Sequence, residues 1–132
     1  MIDFKQVISE SGKQAHEIFD FDLMFDFSVN KNGDWIYREG HNRYEFKAVT
    51  IFDYKGEAYA LNVDCDLSVS ARLNEEFGGI PYYEFYQTEF VNLPLLSTYH
   101  DDSEKNIEFK NFDYLTNLIY EKALIKMGAN FN

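Results

Sequence analysis

The chain is poor in cysteine, proline, basic residues and long apolar runs. Cys65 is the only cysteine in 132 residues, so no disulfide scaffold staples the fold. No stretch approaches the roughly 18 consecutive apolar residues of a membrane-spanning helix. Only two prolines occur, and there is no internal repeat, linker or low-complexity tract. The start, Met1-Ile2-Asp3-Phe4-Lys5, lacks the basic region and apolar run of a secretory signal. Together with the lone thiol, which suits a reducing compartment, this points to a cytoplasmic protein. Gly-x-Ser-x-Gly elbows, phosphate loops and dinucleotide fingerprints are all missing, so no reaction is named and the chain is expected not to be an enzyme.

Aromatic and acidic residues are abundant instead. Thirteen Phe, ten Tyr and one Trp require a core, which argues against disorder and for one domain spanning residues 1–132. Twenty-three acids face twelve bases, for a net charge of −11. Residues 45–89 hold nine of the acids and only three of the bases, more than half of the net charge. Such a field repels nucleic acid and anionic membranes, and it speeds encounter with basic proteins. Acidity that serves only solubility is the competing reading.

Periodicity predicts a helix over 3–16, capped by Asp3 and weakened at Gly12. Over 18–29, Phe19, Phe21, Leu23, Phe25, Phe27 and Val29 alternate with Asp20, Asp22, Met24, Asp26 and Ser28, the pattern of a half-buried strand. Asn30-Lys31-Asn32-Gly33 predicts a hairpin turn, with Trp35 opening the return strand. Further strands are expected over 43–54 and 57–69, joined by a turn at Lys55-Gly56. A short helix is expected over 71–77, and an aromatic strand over 82–91. A closing helix over 112–127 has an apolar stripe of Leu115, Leu118, Ile119 and Ile125. The expected fold is α+β: a mostly meandering antiparallel sheet of about five strands, with an N-terminal and a C-terminal helix packed on one face.

Residues two apart on a strand project side by side, roughly 6.5–7 Å apart. Asp20, Asp22 and Asp26 would share one strand face, and Asp64 and Asp66 another. In one sheet these five carboxylates would make a plate. Like charges so placed are unfavourable unless a basic surface answers them. Glu84 and Glu89 flank the aromatic strand, and Trp35 and Tyr83 are of the residue types that dominate binding hot spots. These nine residues are the expected partner-binding set. The expected activity is that of a small acidic inhibitor occluding a basic partner: an immunity protein or antitoxin against a nuclease-type toxin, or a phage anti-defence protein. Its carboxylates would stand where phosphates stand. The alternative is a small-molecule-binding domain or minor enzyme with a carboxylate- and Tyr-lined pocket. Self-association is a third option, marked by an apolar patch across a symmetry axis.

Other constellations are weaker. Asp64-x-Asp66-x-Ser68 up to Glu75 has oxygen residues at calcium-loop spacing, but Val69 stands where that loop needs glycine. His100, Asp101, Asp102 and Glu104 read as a solvated loop, and no metal or cofactor is expected. Cys65 lies on an apolar strand face between two aspartates, which disfavours a thiolate.

Overall fold

Asp3 opens the first helix as expected: its side chain accepts the Lys5 N–H at 3.0 Å. The computed structural model describes residues 1–25, 40–74, 79, 82–100, 106–127 and 130–131. Within them the order is β1 (Ile2–Asp3), α1 (Phe4–Ser11), α2 (Ala15–Ile18), β2 (Asp22–Phe25), β3 (Gly40–Tyr54), β4 (Glu57–Asn74), β5 (Tyr82–Thr98), β6 (Phe109–Lys110), α3 (Asp113–Met127) and β7 (Asn130–Phe131). The fold is α+β. One sheet runs β2-β3-β4-β5-β7, antiparallel except for the parallel β5–β7 pair at its edge. A second, two-stranded parallel sheet joins β1 to β6.

The helix expected over 3–16 is two helices. Gly12 takes a left-handed conformation (φ 68°) and ends α1, a geometry glycine adopts without steric cost. The Gln14 N–H then donates to the Glu17 carboxylate at 3.2 Å and starts α2. The strand expected over 18–29 therefore begins later: Ile18 is helical, Phe19–Phe21 connect, and the described strand is Asp22–Phe25. Residues 26–39, with the expected turn and Trp35, lie outside the described residues.

β3 and β4 form a hairpin of 15 register pairs, from Tyr54↔Glu57 out to Gly40↔Ala71. Lys55 (φ 52°) and Gly56 (φ 81°) both take left-handed geometry at its turn, which matches the twist of the strands. The helix expected from residue 71 is replaced at Ala71–Asn74 by the end of β4. Ala71 pairs with Gly40 on one side and Phe85 on the other, and those ladders override local helix preference. β5 likewise continues beyond residue 91 to Thr98, passing through Pro94.

Alternation places the core. Tyr44, Phe46, Ala48 and Phe52 of β3 and Leu61, Val63, Cys65, Leu67 and Val69 of β4 are buried on one face of the sheet. Phe4 and Val7 of α1 and Leu115, Ile119, Ala123 and Met127 of α3 belong to the same core. Phe4 touches the rings of Phe19, Phe52, Phe109 and Phe112 at centroid distances of 5.6–6.1 Å, mixing tilted and edge-to-face geometry. The α3 stripe runs at i, i+4 spacing through Ala123 and Met127, so Ile125, expected on it, faces water at 80% exposure.

Candidate functional site

The same alternation that fills one face of the sheet sends β2, β3, β4 and β5 side chains to the other, outer face. Register aligns them in rows. One row is Asp22, Val49, Asn62 and Leu95. The next is Met24, Lys47, Asp64 and Leu93. Beyond these lie Glu45, Asp66 and Val91, then Arg43, Ser68 and Glu89. Down the sheet, polar β4 residues form a ridge beside an aliphatic row on β5. In that row Val91 is 47% exposed, Leu93 68% and Leu95 43%; Met24 and Ile51 are exposed on the same face.

The expected plate of five carboxylates does not form. β3 separates β2 from β4, so the two groups of aspartates are not neighbours. Asp20 precedes β2 and accepts a 2.8 Å hydrogen bond from Lys122 of α3. That bond and the lysine's charge hold the Asp20 carboxyl below its ordinary range. Asp66 is gripped by Arg43, whose Nε lies 3.0 and 2.9 Å from its two oxygens. The guanidinium hydrogen bonds and charge depress Asp66 and raise Arg43 in turn. Arg43 also pairs with Glu45 at 2.9 Å. Glu84 is bound by Asn74 at 2.7 Å and by Arg72 at 3.4 Å.

Three members of the expected set remain open to a partner. Asp22, Asp64 and Glu89 are exposed on the outer face and make no ion pair among the described residues. Asp26 and Trp35 lie outside the described residues. Tyr83 is placed only by its backbone, opposite Leu73.

Two depressions mark the outer face. One, of about 280 Å³, is bordered by Glu45, Lys47, Asp64, Asp66, Val91 and Leu93. The other, of about 530 Å³, has Glu17, Asp20 and Asp22 among its walls and Val49, Ile51 and Tyr99 among its apolar lining. Among the described residues, no lysine or arginine lines the second. Cys65 also borders the first but serves the core. Burial first, and then the Asp64 charge, push its thiol up to about 12. Its S–H has acceptors in Asn92 Oδ1 at 3.4 Å and the Val63 carbonyl at 3.6 Å. A nucleophilic thiolate is thereby disfavoured. Asp64, Asp66 and Ser68 alternate along β4 and do not wrap around a common point as calcium ligands do. No group of three or more His, Cys, Asp or Glu side chains among the described residues is arranged to hold a metal.

The exposed β5 row was not expected from the sequence. Val91, Leu93 and Leu95 alternate as a strand does, but only the pairing to Asp66, Asp64 and Asn62 shows that they point to water. Comparison with family models, with curated proteins and with solved structures finds no match. No helix of the described chain is long and apolar enough to cross a membrane.

Proposed function

We propose that the chain is a small acidic binding protein that covers a cationic surface of a partner protein with the outer face of its sheet. The partner class that fits is a basic toxin or nucleic-acid-handling enzyme. Occlusion of its cationic site would make this chain an inhibitor: an immunity protein, an antitoxin or a phage anti-defence protein, working in the cytoplasm. The observation that carries the reading is the adjacency of two unlike features. Carboxylates with no ion pair among the described residues, at Asp64 and Glu89, stand beside the water-exposed aliphatic row Val91, Leu93 and Leu95, and Asp22 lies on the same face with β3 and β4 between. Aliphatic anchors supply a desolvated centre and carboxylates supply steering and specificity. The anchors are thus reassigned from Trp35 and Tyr83 to the β5 row.

The test is a pull-down from native lysate with the wild type and with Asp22→Lys/Asp64→Lys, at low and high salt. Basic proteins should be captured by the wild type at low salt and lost in the double variant, whose circular dichroism and unfolding midpoint stay unchanged. Capture insensitive to both salt and charge reversal overturns the reading.

The alternative is a small-molecule site at the depression holding Asp22, Ile51 and Tyr99. Its volume falls within the roughly 300–1,000 Å³ typical of ligand pockets. Native mass spectrometry of freshly purified protein separates the two readings, because a retained small ligand favours this one.

A further inference from the structure

We infer that the free edge of β5 around Phe90–Pro94 accepts an extended strand of the basic partner, adding a strand to the sheet. This rests on the outer-face reading above and specifies how the partner engages.

The edge can be followed atom by atom from Leu96. Its N–H donates to Asn106 Oδ1 at 3.2 Å, and its carbonyl accepts from the Ile107 N–H at 2.7 Å. Leu96 therefore turns its main-chain groups away from β4. In an antiparallel ladder, alternate residues turn theirs to the same side, and the register is unbroken from Thr98 to Glu89. Phe90, Asn92 and Pro94 thus face the open edge too. Pro94 has no N–H to lose there, which is why proline is tolerated in an edge position. The N–H groups of Phe90 and Asn92 and the carbonyls of Phe90, Asn92 and Pro94 have no hydrogen-bond partner among the described residues. The chain closes this edge at both ends, with β7 at Glu84–Phe85 and with Asn106 and Ile107 at Leu96. Among the described residues, nothing pairs with the stretch between.

Exposed edges of this kind template strand addition, and proteins that avoid it place lysines along them. Residues 82–98 contain no lysine or arginine; their only charges are Glu84 and Glu89. The neighbouring row adds Asp64, while Asp66 beside it is held by Arg43. A second copy would bring the same carboxylates and another net charge of −11. A strand with Lys or Arg at alternate positions is the complementary occupant: alternation puts those side chains together on the outer face, their alkyl stems along Val91, Leu93 and Leu95 and their charges toward Glu89 and Asp64.

The test uses the full chain and two synthetic ten-residue peptides of alternating Lys and Val. They are identical in charge, but one is N-methylated at alternate peptide bonds on the edge that would pair. Amide hydrogen exchange is read by NMR. At ten times its dissociation constant, the unmethylated peptide should slow exchange at Phe90 and Asn92 by about tenfold, and the methylated peptide should not. Equal protection by both peptides, or protection by neither, overturns strand addition. If both peptides bind and shift resonances around Asp22 and Asp64, strand addition falls while the acidic-face reading stands. Loss of that binding in Asp22→Lys/Asp64→Lys tests the acidic face separately. Protection that rises with protein concentration alone, with a dimer in sedimentation, would make a second copy the occupant and overturn the proposal.

Discussion

The two faces of one sheet obey different rules although the same strands build them. On the inner face, Leu61, Val63, Leu67 and Val69 are fully buried against α1 and α3, and each contributes to stability. On the outer face, one residue along the same strand, Asn62 and Asp64 meet water. Yet the outer face is not merely polar. Its β5 row leaves Leu93 mostly and Val91 and Leu95 nearly half in solvent, so they bury less and contribute less to folding than the inner-face residues do. A face that mixes uncovered aliphatics with unpaired carboxylates is better suited to contact than to solubility alone.

The largest effect should come from breaking the contrast directly. Leu61→Ala empties a fully buried position and should cost about 2–5 kcal/mol, while Leu93→Ala should stay within about 0.5 kcal/mol in urea unfolding. Comparable losses would mean that the outer row is structural.

Cys65 sharpens the same contrast within one strand. With its thiol raised from 9.0 to about 12, the thiolate at neutral pH is depleted roughly a thousandfold. Iodoacetamide should therefore label the native protein only as fast as it opens, and rapid labelling would place Cys65 at the surface.

A smaller effect is expected at Arg43, which occupies Asp66 and Glu45 in place of an outside cation. Arg43→Ala should speed association with a basic partner several-fold at low salt, with the gain vanishing at high salt. An unchanged rate would show that those two carboxylates take no part in docking.

The smallest effect concerns acid. Asp66 is depressed in the folded chain, so its stabilising contribution is present above the unfolded-state value. It is lost as pH falls through the lower folded one. Asp66→Asn should lower stability slightly at neutral pH and flatten that limb, so that the two proteins converge in acid when urea midpoints are followed by circular dichroism across the pH range.

The inner face was legible in the sequence because burial imposes a strict period of two. Tyr44 to Phe52 and Leu61 to Val69 fall where alternation puts them. Helix phase was less legible: Ile125 is apolar but lies off the i, i+4 line of Leu115, Ile119 and Ala123, and nothing local reveals it. The carboxylate plate failed for a different reason. Which strand stands between which, and that Lys122 reaches Asp20 from 102 residues away, are long-range facts. Pro94 had the one local signal of an edge, but its meaning depends on the hydrogen bonds of Leu96 two residues on.

The two left-handed residues at Lys55 and Gly56 carry a kinetic consequence. Closing so short a loop sacrifices little chain entropy, and each of the fifteen pairs beyond it follows from the one before. The ribbon from Gly40 to Asn74 can therefore zip outward from its tip early in folding, giving β5 a ready template. The pairing of Ile2 with Phe109 spans almost the whole polypeptide and must come late. A chain emerging from the ribosome would have its central ribbon available well before Phe109 and Lys110 arrive to pair with Ile2 and Asp3.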